Sequence, residues 1–323
     1  MRRPSLVLTV TLAIVVTFIG CSPQAEPEQP PAAAPVAEPS LPPRGELQAV
    51  SLLGEDLYAQ VDTEGSIAKA DAAMAAAPDD IELLIAAARV RRNFWQYRDA
   101  IDLYSRVIEA APREWRPYRY RGHRYISVRE FELAVVDLEE ARELAPYNWD
   151  VSYHLGLAYF VSGRFDEAAD EYLRCLDLAD DARARSAQGD DFRSCSQNND
   201  DPESMVAMTE WAVRALMRSG RDEEANLLLE GIAADLLIET NIAYYHDLLF
   251  YKGLKTADEL LVLDDDSPYR LETVGFGVAH WMLINGETER AVEVLREIAA
   301  HPWWPGFGRI AAEAELARIR DGS

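Results

Sequence analysis

The sequence predicts an array of repeated units, and three observations predict it. Prolines recur at one fixed interval, at Pro78, Pro112 and Pro146. Small residues recur at the same interval, at Ala100, Ala134 and Ala168 and at Gly122 and Gly156. Aromatic residues do so as well, at Trp115 and Trp149, at Tyr97, Phe131 and Phe165, and at Tyr125 and Tyr159. A fixed period of this length is typical of chains whose units stack side by side, each covering the apolar face of the next.

The pattern is clearest in residues 149–182, which carry Leu155-Gly156, Tyr159, Phe165, Ala168 and Tyr172. It resembles the tetratricopeptide repeat (TPR), a helix–turn–helix unit of about 34 residues. The resemblance implies an all-α fold, an α-solenoid in which helix–turn–helix units form a right-handed superhelix. Small residues let two antiparallel helices approach closely, aromatic residues fill the seam between them, and proline ends the second helix because it cannot continue one.

Four units are predicted, at 47–80, 81–114, 115–148 and 149–182. In the first of them Ser66 stands where the later units have alanine. The register breaks after residue 182, and the polar residues 183–203 are interpreted as an inserted loop. Three degenerate units are predicted within 204–304. Residues 305–320 are predicted to form an amphipathic helix that caps the last unit, because a stacked array needs a polar end.

Residues 1–20 predict a signal peptide. A short basic start precedes a mostly apolar run of fifteen residues that ends at Gly20, too short for a comfortable membrane span. The run leads into Ile19-Gly20-Cys21, which resembles the lipobox of bacterial lipoproteins, although Phe18 stands where leucine is usual. The resemblance implies that Cys21 becomes a lipidated N-terminus. The alternatives are an ordinary secretory signal and an uncleaved anchor.

Residues 21–46 predict a lipidated cysteine followed by a disordered tether rich in proline and alanine. Residues 22–44 contain eight prolines, and such a chain extends by about 3.1 Å per residue, so that the tether reaches up to about 70 Å. In bacterial lipoproteins aspartate after the cysteine favours retention in the inner membrane. Ser22 stands here, which implies an outer-membrane lipoprotein of the cell envelope that faces the periplasm.

The composition excludes several classes of protein. With 49% hydrophobic residues the chain is not wholly disordered. A net charge of −24 makes nucleic acid an unlikely partner. Three cysteines are too few for a disulfide-dense scaffold or a multi-cysteine zinc module. The histidines lack metal-ligand spacing and no catalytic or nucleotide-binding motif is readable, so the sequence predicts no enzyme, no metal and no cofactor.

A basic segment marks the candidate binding face. By the TPR resemblance, positions of the first helix in each unit line a concave groove, and here they include Arg89, Arg92, Asn93, Arg116, Arg119, His123, Tyr153 and Phe160. Residues 89–129 hold eleven arginines and four acidic residues, a basic island in an acidic chain. Arginine pairs well with carboxylates. We therefore expect the groove to bind a protein or peptide with an acidic or carboxylate-terminated segment, and the two aromatic residues to form one wall.

Alternatives stay open for several of these residues. The arginines also suit pairing with acidic residues of neighbouring units on a solvated face. Cys175 and Cys195 would form a disulfide in an oxidising compartment, and the alternative is a buried free Cys175 with an exposed Cys195. Trp303-Trp304 is interpreted either as a plug over the last unit or as an exposed anchor.

The predicted function is that of a membrane-anchored adaptor or scaffold that binds a protein partner without catalysis. One alternative is a self-assembling structural lipoprotein, in which the groove or the cap docks on another copy. A second alternative is a hydrolase built in the irregular second half. That alternative requires His246, Asp247 and His280 to converge on one pocket.

Overall fold

The structure is a computed structural model that describes residues 44–187, 189, 192–261 and 268–322, the side chains of 268–270 excepted. The predicted signal peptide, the lipidation site Cys21 and nearly all of the tether lie outside the described residues. Within them the elements are β1 Arg44–Val50, β2 Asp56–Gln60, α1 Ser66–Ala76, α2 Ile81–Asn93, α3 Tyr97–Ala110, α4 Trp115–Ser127, α5 Phe131–Leu144, α6 Trp149–Val161, α7 Phe165–Asp177, α8 Ala182–Ser186, α9 Cys195–Asn199, α10 Pro202–Arg218, α11 Asp222–Gly231, α12 Ile242–Tyr251, α13 Ala257–Leu261, α14 Pro268–Ile284, α15 Thr288–Ala299 and α16 Phe307–Asp321.

The helices pair as α2–α3, α4–α5 and α6–α7, in the segments predicted as the second, third and fourth units. The first helix of each pair begins after an N-cap residue, and these caps recur with the period of the sequence, at Asp80, Glu114 and Asn148. Their side chains accept backbone N–H bonds that the first helical turn leaves without partners. The period therefore sets where each unit starts, and the predicted α-solenoid is confirmed.

Small residues bring the two helices of a unit together, as the pattern predicts. A Cβ atom on Gly156 would lie only 2.4 Å from the ring of Tyr172. A Cβ on Gly122 would lie 2.6 Å from Leu138 on the second helix of the same unit. The repeating alanines are fully buried in the same seams: Ala100, Ala134 and Ala168. Interiors packed to this density leave no room for an added methyl group.

The first predicted unit, 47–80, does not form a helix pair. Strands β1 and β2 form an antiparallel hairpin that pairs Leu47 with Tyr58 and Val50 with Asp56, and a single helix, α1, follows. The turn contains Gly54 at φ +88°, a conformation that favours glycine. The hairpin forms because one face of it, with Ala49, Leu57 and Ala59, is buried. Residues 44–46, predicted as tether, belong to β1.

Three further helix–turn–helix segments, α10–α11, α12–α13 and α14–α15, occupy the region predicted as three degenerate units, and in the second of them α12 and α13 each pack against α14. The segment predicted as a polar loop contains most of the short helix α8 and all of α9; α9 packs against α7 and α10, and α8 packs against α9. In the described part of the chain, none of the helices combines the length and the hydrophobicity needed to cross a bilayer.

Each turn within a pair holds one residue in the left-handed region. In the last four pairs that residue is glycine: Gly163, Gly220, Gly253 and Gly286. In the first two pairs it is Trp95, at φ +58°, and Arg129, at φ +65°. Residues other than glycine adopt this backbone conformation at an energetic cost. These two residues therefore need a compensating contact, which the C-terminal segment supplies.

Helix α16 does more than cap the last unit. It packs against α14 and α15, and Gly308 brings it so close to α14 that a Cβ there would lie 2.1 Å from the carbonyl oxygen of Glu272. It also contacts α6, near the middle of the array. The preceding Trp304 is neither a plug over the last unit nor an exposed anchor, because it lies buried against the turn of the first pair, beside Trp95.

Candidate functional site

The first helices of the pairs form one side of the array, which we call the inner surface (α2, α4, α6 and α10). At its beginning lies a shallow hollow of about 280 Å³ between α2 and α4. Its lining residues are Glu82, Ile85, Ala86, Arg89 and Arg116. The repeat period thus places groove positions of the second and third units side by side, as the sequence predicts.

The groove residues of α2 are open to solvent. Arg89, Arg92 and Asn93 are exposed, and the guanidinium of Arg92 donates to Oδ1 of Asn93 at 3.2 Å. The guanidinium of Arg89 lies 5.8 Å from the centre of the Tyr120 ring on α4. These three side chains can contact a second molecule without any rearrangement of the fold.

Arg116, in contrast, is engaged by acidic residues of this chain. Its nitrogens donate to Glu82 on the preceding unit at 2.6 and 3.1 Å, and to Glu114 at 2.9 and 3.2 Å. The hydrogen bonds to Glu114 and Glu82 raise the pKa of the guanidinium. The structure follows the alternative of pairing between units for this residue.

Arg119 is likewise paired, with the next unit. It donates to Oδ1 of Asp150 at 2.5 Å and lies 3.3 Å from the ring nitrogens of His154. Burial opposes ionisation of Asp150, but Arg119 and His154 outweigh it and hold the pKa of that carboxyl well below its usual range. Burial, then Arg124 and His154, lowers the pKa of His123 well below its usual value, so this histidine is neutral near pH 7.

Arg124, on α4, is a further cation of this region that no motif in the sequence singles out. It is 4% exposed, and its guanidinium lies 4.6 Å from the centre of the Tyr97 ring. Burial lowers the pKa of Arg124 to about 10. No carboxylate pairs with it among the described residues, so its positive charge adds to those of Arg92 and Arg119. The signal for it in the sequence is only the arginine count of residues 89–129.

The predicted aromatic wall on α6 is occupied by the chain itself. Phe160 is fully buried, with its ring 5.2 Å from that of Trp211 and 6.2 Å from that of Phe276. Tyr153 is 6% exposed, and its hydroxyl lies 3.0 Å from the hydroxyl of Tyr244. These residues do not face an open groove, because helices α10, α12 and α14 of the second half pack on them.

The inserted segment is fixed to the fourth unit by a disulfide between Cys175 and Cys195, whose Cα atoms are 5.3 Å apart. Backbone bonds add to it, since Trp149 N–H donates to Arg193 at 2.8 Å and Cys195 N–H donates to Tyr147 at 2.8 Å. Both cysteines are fully buried. The segment therefore closes over the end of α7.

Replacing both Cys175 and Cys195 by alanine should lower the free energy of unfolding by about 3 kcal/mol, because the bond closes a loop with a sequence separation of 20. Urea denaturation followed by circular dichroism measures the difference. A reductant should destabilise the natural chain and leave the double variant unchanged. Equal stability of the two chains under oxidising conditions would contradict the expectation.

The residues of the hydrolase alternative do not meet at an accessible site. Asp247 is fully buried and bound by Arg214 at 2.9 Å. His280 is also fully buried, with its ring 5.9 Å from that of Phe160. Within the described ranges, no cluster of three histidine, cysteine, aspartate or glutamate residues could hold a metal ion.

Comparisons with known proteins agree with a repeat architecture. No protein-family model matches the sequence. The chain is 30% identical over 101 residues to the small glutamine-rich tetratricopeptide repeat-containing protein 2 of Saccharomyces cerevisiae, a match that covers 31% of this chain and 29% of that protein. The chain thus spans less than a third of the length of this curated relative.

Solved structures that match part of this chain include MamA, at 18% identity and a TM-score of 0.42, where the match covers 52% of this chain and 84% of MamA. YrrB, described as a TPR protein with an unusual peptide-binding site, is 14% identical with a TM-score of 0.41, over 79% of this chain and 98% of YrrB. The helix pairs, their regularly spaced caps and their glycine and alanine seams make this chain a TPR-type α-solenoid.

Proposed function

We propose that the chain is a protein-binding adaptor of the bacterial cell envelope, and that the hollow between α2 and α4 captures an acidic or carboxylate-terminated segment of a partner. One observation carries the proposal. Arg89 lines the hollow together with the apolar Ile85 and Ala86, and Arg92 and Asn93 are exposed further along the same helix. Arginine and asparagine donors suit carboxylates, and the apolar floor suits the side chain beside the carboxylate.

The charge distribution supports this choice of partner. The whole chain carries −24, yet residues 89–129 hold eleven arginines and four acidic residues. Arg116 and Arg119 are neutralised by Glu82, Glu114 and Asp150, whereas Arg92 donates to the neutral Asn93 and no carboxylate pairs with Arg124 among the described residues. A basic patch attracts an acidic segment of a partner.

The membrane anchor is part of the proposal and is supported by the sequence at Cys21. A disulfide in the folded domain is typical of proteins outside the reducing cytosol. Lipid anchoring of such a domain on a tether of up to about 70 Å raises the effective concentration of a membrane-bound partner. Moderate affinity in the hollow is then sufficient for capture.

The test is affinity purification from cross-linked membranes of the native host. The variant Arg89→Glu with Arg92→Glu should recover at least about 30-fold less partner, since reversing charges that contact a carboxylate costs about 2 kcal/mol or more. The control is Arg113→Glu with Arg290→Glu, which makes the same charge change at exposed arginines away from the hollow.

Undiminished recovery with the Arg89 and Arg92 variant would refute capture in the hollow.

A third chain, Cys21→Ser, tests the anchor in the same preparation. It should move from the membrane to the soluble fraction, because the thiol that accepts the lipid is absent. Retention in the membrane would refute lipidation at this residue. Recovery of the chain itself as the main partner would favour the self-assembling alternative.

A further inference from the structure

The C-terminal segment, which we define as residues 302–321, lies along the inner surface and the turns that border it, and makes four specific contacts with them. The first is Trp304, which is 4% exposed. Its ring is 5.7 Å from that of Trp95 and 5.2 Å from that of Tyr97, in edge-to-face geometry, and its Nε1–H donates to the carbonyl oxygen of Tyr58 at 2.9 Å. A buried tryptophan with its N–H satisfied is the usual anchor of a protein interface.

The second contact is Phe307. Its ring lies 5.1 Å from that of His123, 5.7 Å from that of His154 and 6.3 Å from that of Tyr153. Two of these three residues, His123 and Tyr153, are positions at which the sequence predicts contact with a guest. The chain's own phenylalanine thus occupies the place of a guest side chain on α4 and α6.

The third contact is Glu313, which accepts from Arg129 at 2.7 and 2.9 Å, with the two side chains 1% and 2% exposed. The fourth is Glu315, which pairs with Arg218 at the end of α10 and with Arg318 at 2.9 Å. Both are arginine–carboxylate pairs, the chemistry expected of a groove that captures acidic segments. The arginines that carry it differ from those predicted.

The receiving side is adapted to this segment. Trp95 and Arg129 adopt left-handed turn conformations where the four later turns have glycine. Arg129 also donates to the carbonyl oxygen of Trp304 at 3.0 Å. This backbone conformation is unfavourable for residues other than glycine, yet Trp95 and Arg129 adopt it, and the side chains of both contact the C-terminal segment. The strain therefore marks the surface as a recognition site rather than generic packing.

We propose that the inner surface from the first turn to the end of α10 is a binding site for a helical segment with two aromatic residues followed by two glutamates, and that residues 302–321 are its resident occupant. A partner segment with the same pattern competes with the resident. This site is separate from the hollow between α2 and α4, and the inference rests on the proposed function only for the acidic character of the partner.

The test uses the full chain and a fluorescein-labelled synthetic peptide with the sequence of residues 301–321. In the variant Trp304→Ala the resident loses its aromatic anchor. Fluorescence anisotropy should show that this variant binds the peptide at least about tenfold more tightly than the natural chain does, since the natural site is filled. A matched peptide with Glu313→Gln and Glu315→Gln should bind the variant at least about tenfold more weakly.

Equal peptide binding by the two chains, or binding that ignores the glutamine changes, would overturn the proposal. If circular dichroism shows that Trp304→Ala does not fold, hydrogen exchange of the natural chain decides. Amides of α16 should exchange at least about tenfold faster than those of α6 and α10, because a resident occupant opens separately. Exchange of all three helices at one rate would make the segment a permanent part of the core and refute the inference.

The variant Arg89→Glu with Arg92→Glu separates this inference from the proposed function. It should lose the partner of the hollow and keep the natural exchange rate of α16, because neither arginine contacts residues 302–321 in the interactions described above. Loss of partner with unchanged α16 exchange therefore leaves the two sites distinct. Faster α16 exchange in that variant would show that they are one site and overturn the separation.

Discussion

Replacing Arg214 by methionine should lower the free energy of unfolding by about 3–5 kcal/mol at pH 7. Arg214 is fully buried, pairs with Glu210 on the same helix and donates to Asp247 on α12 at 2.9 Å and to the carbonyl oxygen of Thr273 on α14 at 3.2 Å. Both carboxyl side chains are 0% exposed. Methionine fills the space but leaves two acidic groups without a cation, which is the costly half of breaking a buried ion pair.

The deficit of this variant should shrink as the pH falls. Burial raises the pKa of Glu210 to about 7 and the pKa of Asp247 well above its usual value even with the arginine present. Arg214 lowers both pKa values against the effect of burial, so in the variant both rise further, and the folded variant keeps protons that the folded natural chain releases, at Glu210 as the pH passes about 7. The deficit therefore grows by up to about 1.4 kcal/mol per group for each pH unit over which only the variant is protonated, and it is smaller at pH 5.

Urea denaturation of Arg214→Met and the natural chain at pH 5 and pH 7.5 measures both effects. Arg221→Met is the matched control, because Arg221 also pairs with two carboxylates, Asp170 and Glu224, but those are 71% and 46% exposed. The free energy of unfolding of Arg221→Met should be lower than that of the natural chain by no more than about 1 kcal/mol, and this difference should not depend on pH in this range. A deficit for Arg214→Met that stays constant between the two pH values would rule out the proton uptake.

Arg129→Gly should lower the free energy of unfolding by about 2–4 kcal/mol. The change leaves Glu313 buried with only Arg309, at 3.1 Å, as its cationic partner. It also removes the bond to the carbonyl oxygen of Trp304. Glycine removes the backbone strain of the left-handed conformation at residue 129, where φ is +65°, and this offsets about 1 kcal/mol of the lost stability.

The variant Arg129→Ala separates the two contributions. It loses the same ion pair but keeps a side chain in the left-handed region, so it should be about 1 kcal/mol less stable than Arg129→Gly. Arg290→Ala breaks an exposed pair with Glu287 and should change stability little. Thermal or urea unfolding of the three variants gives the order. If alanine and glycine at residue 129 gave equal stability, the backbone there would not be strained.

Most of the fold could be predicted from the repeat period. Caps at Asp80, Glu114 and Asn148, and seams at Gly122 and Gly156, are local features that recur once in each unit, and the structure uses each of them. The first unit could not be predicted in the same way. Extending the period backwards imposed a helix on residues whose alternating burial, at Ala49, Leu57 and Ala59, is that of a hairpin around a glycine turn.

The candidate site was predictable only where its contacts are close in sequence. The period placed Glu82 and Arg116 at equivalent positions of adjacent units, and their opposite charges already favour the pair that forms. In contrast, Arg129 meets Glu313 across 184 residues. No local pattern encodes a contact of that range, because it depends on the curvature accumulated over all the intervening units. The sequence indicates this contact only by Trp95 and Arg129, which stand at the turn position where the four later pairs have glycine.

Contact between the two ends of the array also bears on how the chain folds. In an open solenoid each repeat touches only its neighbours, so structure can nucleate anywhere and the ends fray first. Here Trp304 bonds to Tyr58 across 246 residues, and Arg309 pairs with Glu55 across 254. Such long loops raise the contact order, so the C-terminal segment should dock slowly and last, on repeats that are already folded. Removing the β1–β2 hairpin should therefore loosen this segment at the opposite end of the chain.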